Sequence, residues 1–315
     1  MAGSEAPAQT GKVLKVDAAL DQIVPAGAKI EKLHGGFAFI EGPIWMREGH
    51  LLFSDIPNNV INKWTPDGKV TVFRNHSGYD KDDAPKGAFI GSNGLTLDKE
   101  GRLIICEHGN GRLTRLEKDG KLTILAAKYE GKRLNSPNDV VQKSNGDFYF
   151  TDPPYGFVKL DDDPKKELKF NGVYKLSGGK LTLLYKELSK PNGILFSPDE
   201  KYLYVGNSDP DKKIWMKFEV RKDGTIANGK VFYDVTKETA DGLPDGMKID
   251  KNGNLYCTGP GGVWIFSPAG KHLGTIQPPE TPANCHWGDK DGKTLYMTAR
   301  TGLYRIKLNA TGIRP

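Results

Sequence analysis

The sequence predicts an all-β fold, a six-bladed β-propeller built from four-stranded antiparallel blades. Three observations carry this prediction. One short pattern recurs along the whole chain, each recurrence opens a run of short strand-and-turn segments, and no amphipathic helix of useful length interrupts them. The pattern is clearest as IEGPIW at 40–45, SPNDVV at 136–141, KPNGIL at 190–195 and LPDGMK at 243–248. In the last three a Pro precedes an acid or amide side chain, and Gly or Asp follows it. Two further copies begin at SNGLTL (92–97) and within ANCHWG (283–288), so the six marker residues are Glu41, Asn93, Asn138, Asn192, Asp245 and Asn284. Neighbouring markers lie 39 to 54 residues apart, near the ~40–50 residues of a propeller blade.

Each marker opens an apolar run that ends in a turn such as DKEG at 98–101, KSNG at 143–146, SPDE at 197–200 or DKNG at 250–253. A second strand follows, rich in Leu, Ile, Tyr and Phe, and then further strands separated by Gly, Asp and Asn turns. The best helical candidate, DPKKELKF at 163–170, is short and has Pro164 near its start, which predicts at most a turn or two. A four-stranded sheet cannot bury both faces alone; radial stacking of six covers them and leaves only short edges. The 315 residues, 37% of them hydrophobic, suffice for a sizeable core. A length prior would suggest two domains, yet no Ser/Gly-rich linker or shift in composition divides the chain. The expected organisation is a flexible or extended segment over 1–25 and a single propeller over 26–315.

The net charge of +6 comes from 45 basic and 39 acidic residues scattered along the chain. Nucleic-acid binding would need Lys and Arg clustered with interleaved aromatics, and no such cluster occurs. No stretch approaches the ~18 apolar residues of a membrane span. The expected partner is therefore a small molecule, and the expected assembly a monomer or weak homo-oligomer. Cys106, Cys257 and Cys285 form no C-x-x-C motif and indicate no disulfide framework; the first two fall in predicted strands, where Cys packs as a small hydrophobe. The opening MAGSEAPAQTGK has no apolar core of a signal peptide. Its small, polar character fits a cytoplasmic protein, or a periplasmic or secreted one whose signal peptide has been removed.

Four of the markers carry chemistry. Glu41, Asn138, Asn192 and Asp245 are remote in sequence but equivalent in the repeat, and if each starts an innermost strand their side chains meet on the propeller axis. Two carboxylates and two amide carbonyls are hard oxygen donors of the kind Ca²⁺ or Mg²⁺ takes. The competing account is that Asn-Gly and Asp-Gly pairs merely make turns, as at 67–68, 145–146 and 252–253. That account explains less well why the markers precede apolar runs and include a Glu. Other chemistries find no support. There is no G-x-S-x-G, and the six histidines form neither H-E-x-x-H nor H-x-H. GTIANGK at 224–230 imitates a phosphate-binding loop but is followed by Val231 where Ser or Thr is required.

Together with FTDPPYG at 150–156 and CEHGNGRLTRLE at 106–117, the markers and their neighbours resemble the SMP-30/gluconolactonase/luciferin-regenerating family. The resemblance runs from about Phe39 to Leu308. It implies a six-bladed propeller with one divalent cation at the bottom of a central pocket, Ca²⁺ first and Zn²⁺, Mg²⁺ or Mn²⁺ as alternatives. It also implies that Glu41, Asn192 and Asp245 ligate the ion, and that Asn138 is either a fourth ligand or a substrate contact. One departure stands out: animal members carry Arg two residues before the equivalent of Asn138, where this chain has Ser136. Arg133 is a candidate to reach the pocket in its place.

The implied function is a metal-dependent hydrolase opening a sugar lactone in carbohydrate metabolism. A divalent ion polarises a carbonyl and lowers the pKa of water, and Asp245 is the expected general base. Position in the repeat nominates Asn93, His108, Asp152, Tyr155, Asn207, His286 and Arg300, with Asn138, as polar contacts to a hydroxylated substrate. Each histidine is equally readable as a structural strand-end residue, and Tyr155 as a turn-ordering one. Two rival readings remain: a metal-dependent phosphotriesterase or fluorophosphatase, which a more apolar pocket would favour, and a propeller that binds without catalysis.

Overall fold

A computed structural model describes residues 11–315. Among them the chain forms six antiparallel sheets arranged as propeller blades, five of four strands and one of five, with a two-stranded ribbon of Lys128–Tyr129 and Lys132–Arg133 beside them. Blade 1 comprises Ile40–Trp45, Leu51–Asp55, Val60–Trp64 and Val70–Asn75, and blade 2 comprises Ser92–Leu97, Leu103–Glu107, Arg112–Leu116 and Leu122–Ala126. Blade 3 runs Val140–Gln142, Phe148–Asp152, Gly172–Ser177 and Lys180–Tyr185. In blade 4 the strands are Pro191–Phe196, Tyr202–Asp209, Lys212–Val220 and Ile226–Asp234, and in blade 5 Met247–Ile249, Leu255–Gly259, Gly262–Phe266 and His272–Gln277. Blade 6 takes Asn284–Gly288, Thr294–Ala299 and Gly302–Lys307 from the C-terminal end and Ile30–His34 from the N-terminal end. Two ends of one chain thus complete one sheet, which locks the ring without a covalent link.

The sixth blade explains why the last marker stands alone near the C-terminus: its outer strand comes from the start of the chain. Lys12–Lys15 adds a fifth strand to blade 5, pairing with His272–Gln277, and Ala18–Gln22 forms a short 3₁₀ turn packed against it through Leu20. The part of the expected N-terminal segment up to residue 10 lies outside the described residues. The other helical turn is Leu160–Asp162; the 163–170 stretch holds turns and bends. GTIANGK lies in and before the outer strand of blade 4. The three cysteines are buried and free. Among the described residues no helix is long and apolar enough to cross a membrane.

Alternation of side chains along each strand loads both faces of the inner strands with apolar groups, and the core is a set of contacts between blades. Ile44, Leu52 and Ile61 of blade 1 meet Leu95, Leu97 and Ile105 of blade 2. Tyr149 of blade 3 packs edge-on against Phe196 of blade 4 at 4.8 Å between ring centroids, and Tyr256 of blade 5 does the same with Trp287 of blade 6 at 4.7 Å. Trp45 stacks on Tyr296 at 5.2 Å and joins blade 1 to blade 6. Such pairs favour tilted or offset rings because the aromatic face is negative and the edge positive.

The glycine after a marker permits this tight inner ring. A Cβ at Gly42 would lie 1.9 Å from the Asn93 carbonyl oxygen, one at Gly94 2.5 Å from that of Asn138, and one at Gly193 2.1 Å from that of Asp245. In blades 1, 2 and 4 the glycine is pressed against the next marker's backbone, and in blade 5 Gly246 is pressed against the Asn284 side chain. This close approach brings the marker side chains toward the axis.

Candidate active site

The inner strands begin around a cavity of about 280 Å³ on the propeller axis. Its polar lining is Glu41, Asn93, His108, Asn138, Asn192, Ser208 and Asp245, most of them buried, with Tyr155 from the loop after Phe148–Asp152. Seven residues named from the sequence (Glu41, Asn93, His108, Asn138, Tyr155, Asn192 and Asp245) therefore come together. The ring is cross-linked by amides. Asn93 Nδ2 donates to Asn138 Oδ1 at 2.7 Å, and Asn138 Nδ2 donates to Asn192 Oδ1 at 2.5 Å. Asn192 Nδ2 donates to Ser208 Oγ at 2.9 Å, whose hydroxyl donates in turn to the Pro244 carbonyl. His108 Nε2 lies 3.2 Å from both Asn93 Nδ2 and Asn138 Oδ1. Burial pushes the His108 imidazole down to about 4, so it is neutral in ordinary buffers and offers one donor and one acceptor.

The two carboxylates are poorly compensated. Glu41 Oε2 accepts from the Gly42 amide at 2.5 Å and from Asn284 Nδ2 at 2.9 Å. Burial nevertheless raises its pKa to about 7, aided by the charge of Asp139. Asp245 is driven well above the ordinary carboxylate range by burial, then by the charges of Glu41 and Asp139, and its Oδ1 has no hydrogen-bond partner. Asn93 Oδ1 is likewise unpartnered. Two adjacent acids, Glu41 buried and Asp245 half-buried with a shielded, unpartnered oxygen, stand beside amide oxygens and make a donor set that suits a hard divalent cation. Among the described residues no three His, Cys, Asp or Glu side chains gather in metal-binding geometry. The set depends on amide oxygens for its remaining donors.

Four nominated residues lie elsewhere. Asp152 is wholly buried behind the cavity, where its Oδ2 accepts from the Asn135 amide at 2.8 Å and burial pushes it up to about 7. It fixes the loop that delivers Asn138. Asn207 is also buried, bonded to the Lys190 amide at 2.8 Å and the Lys212 carbonyl at 2.9 Å. Arg300 is half exposed and pairs with Asp241. His286 lines a second cavity of about 190 Å³, further along the inner strands, with Thr96, Gln142, Lys248 and the C-terminal Ile313 and Arg314. His108 follows the end of the second strand of its blade, whereas His286 lies two residues beyond marker Asn284 on an inner strand, about 6–7 Å further along it, so the two are not equivalent. Arg133 does not line the pocket: its guanidinium donates to the Leu134 and Asn135 carbonyls at 2.6 Å each and lies 4.9 Å from the Phe157 ring centroid.

This division gives an expected result for the two histidines. His108→Ala should raise KM severalfold, because the ring is part of the pocket floor. His286→Ala should leave KM unchanged and cost about 2–4 kcal/mol of stability through the void it opens. Paired thermal melts and steady-state kinetics check both; a KM change confined to His286→Ala would reverse the assignment.

Sequence reasoning missed three contributors. Asp139 stands where four of the other five units have Gly, and that substitution within the pattern is the available signal for a third acid. Asn284 was recognised as a marker but not as the residue that holds Glu41. The rest of the lining is apolar, formed by Phe39, Ile56, Phe89, Leu160 and Leu243; Phe39 and Leu243 each stand two residues before a marker, whereas Ile56, Phe89 and Leu160 lie in connections with no repeat signature.

Fold and site define a class: a six-bladed propeller whose axial pocket is floored by acids and amides contributed by successive blades. Residues 39–301 match the SMP-30/Gluconolactonase/LRE-like region, and the chain belongs to that family. It is 39% identical over 314 residues to a gluconolactonase of Zymomonas mobilis, covering 96% of this chain and 87% of that protein. It is 28% identical over 277 residues to regucalcin of Xenopus laevis, covering 82% of each. Among solved structures, a gluconolactonase from Xanthomonas campestris superposes with a TM-score of 0.83 at 32% identity, covering 98% of both chains.

Proposed function

We propose that this protein is a divalent-metal-dependent lactonase, with a sugar lactone of the gluconolactone type as the first substrate to test. The observation that carries the reading is the convergence of Glu41, Asn138, Asn192 and Asp245 on one cavity, with an Asp245 oxygen left unpartnered. The names of the relatives at 39% and 32% identity support the same reaction class. Glu41, Asn192 and Asp245 would hold the ion, with Asn138 as a fourth ligand or a substrate contact, and Ca²⁺ fits this all-oxygen set best. When bound, the ion supplies Lewis acidity to the lactone carbonyl and acidifies water.

The chain's own groups account for the rest. Asp245 takes a proton from the attacking water as its oxygen bonds to the lactone carbon. The ring C–O bond then breaks, and the same proton goes to the departing alkoxide, leaving a hydroxy acid. Asn93, Asn138 and neutral His108 present donors and an acceptor toward the ring, fixing its approach. Ligation of an ion lowers the basicity of a carboxylate, which opposes its role as base; burial and the charges of Glu41 and Asp139 act in the other direction.

The apolar upper wall is the observation that favours the second reading, hydrolysis of a phosphotriester at the same ion. The experiment is hydrolysis of gluconolactone and of paraoxon, each with and without chelator. The expected result is gluconolactone turnover that chelator reduces at least a hundredfold and added Ca²⁺ restores. Chelator-sensitive activity on paraoxon alone would move the assignment to a phosphotriesterase, and no such activity on either would leave a binding propeller.

A further inference from the structure

The pocket has two chemically distinct halves. Its acid and amide lining is mostly buried, whereas the more exposed lining residues are Phe39, Phe89, Leu160 and Leu243 with Tyr155, backed by the buried Ile56. Phe39 and Phe89 come from different blades' loops and pack with ring centroids 5.1 Å apart. A fully hydroxylated sugar ring seated on the floor would place hydroxyls against this collar, which offers them no side-chain hydrogen-bond partner and would strip their water.

Leu160 is the informative member. It is 41% exposed and has a φ of +50°, a left-handed conformation that leucine rarely adopts and that carries strain. An exposed, strained leucine gains little from the fold itself. The loop nevertheless holds it firmly from both sides. Phe157 is buried against Arg133 on one side. On the other, Asp161 accepts from Asn171 Nδ2 at 2.9 Å and pairs with Lys190 and Lys166. Anchoring that fixes a leucine in a strained pose over a pocket mouth points to a ligand that covers it.

We propose that the site takes a ring substrate bearing an apolar arm, a lactone with an alkyl or aryl substituent next to the ring oxygen, and that Leu160 selects for that arm. The inference rests on the reading of the floor as the seat of the lactone ring. The ring carbonyl sits at the acids and amides, and the arm rises through the collar between Leu160, Leu243 and the Phe39–Phe89 pair. Each methylene added to the arm should tighten binding until the collar is filled, by about tenfold or more over a pentyl group.

Lactams test this without turnover. Calorimetric titration of the full-length chain in Ca²⁺ would compare 6-pentyl-δ-valerolactam with glucono-δ-lactam. The expected result is at least tenfold tighter binding of the pentyl compound, with the ratio falling fivefold or more in Leu160→Ser and largely restored in Leu160→Met. Equal or weaker binding of the pentyl lactam, or a ratio that Leu160→Ser leaves unchanged, overturns the proposal. The lactonase reading fails separately: a pentyl preference with no hydrolysis of any lactone would retain the collar and remove the reaction, while gluconolactone turnover without a pentyl preference would do the reverse.

Discussion

Asp245→Asn should abolish most of the lactone turnover while leaving the propeller folded, and in chelator it should raise the melting temperature. The two effects have one origin. Glu41 is buried and Asp245 half-buried, each charge raises the cost of ionising the other, with Asp139 adding a third, and a shielded Asp245 oxygen lacks any hydrogen bond. Neutralising one acid relieves that repulsion in the metal-free protein. The same change removes the group assigned to accept a proton from water, and loss of a general base lowers rate by about 10²–10⁴. It also removes a charged ligand, so Ca²⁺ affinity should fall and the stabilisation that Ca²⁺ gives should shrink. Kinetics at saturating Ca²⁺ separate the terms. If turnover recovers fully once the weaker site is filled, Asp245 is a ligand only. A variant that keeps full turnover and full affinity would remove Asp245 from both roles.

Much of this arrangement is legible in the sequence. The spacing of six markers predicts the blade count, and Glu41, Asn138, Asn192 and Asp245 stand out as the acid or amide oxygens of the four clearest copies of the pattern. A repeat specifies its inner strands well, since the same steric problem is solved six times and leaves the same residues behind. It specifies poorly what each copy does with its outer end. Arg300 pairs outward with Asp241 and His286 faces the far cavity, although both occupy positions that looked equivalent to pocket residues. Asp152 and Asn207 are polar and near the axis, yet their hydrogen bonds are spent on holding the Asn135 and Lys190 backbones. Type and position in a repeat cannot distinguish a residue that faces substrate from one that braces the loop behind it. The apolar collar was invisible for a further reason: Phe39, Phe89, Leu160 and Leu243 come from loops of different lengths, and only the closed ring brings them together.

The glycine that follows a marker was readable as a turn signal, and the structure gives it a different cause, which makes Gly193→Ala the second large expected effect. Gly193 lies within the inner strand Pro191–Phe196, and an added Cβ would stand 2.1 Å from the Asp245 carbonyl oxygen, a backbone atom with no rotamer to escape through. Blade 4 or blade 5 must therefore move at the axis, where Asn192 and Asp245 both sit. Overpacking a tight site costs about 1–3 kcal/mol, and more when backbone must shift. At roughly 1.5 °C per kcal/mol for a single domain of this size, Tm in chelator should fall by about 2–5 °C. The functional effect should exceed the stability effect, because the displacement falls on two proposed ligands. The Tm rise on adding Ca²⁺ should nearly vanish, and turnover with it, even at temperatures where the variant is fully folded. Thermal melts with and without Ca²⁺ read both quantities on one sample. Wild-type melting and a wild-type response to Ca²⁺ would show that the inner strands do not press marker against marker, and the ring of acids and amides would lose the contact that assembles it.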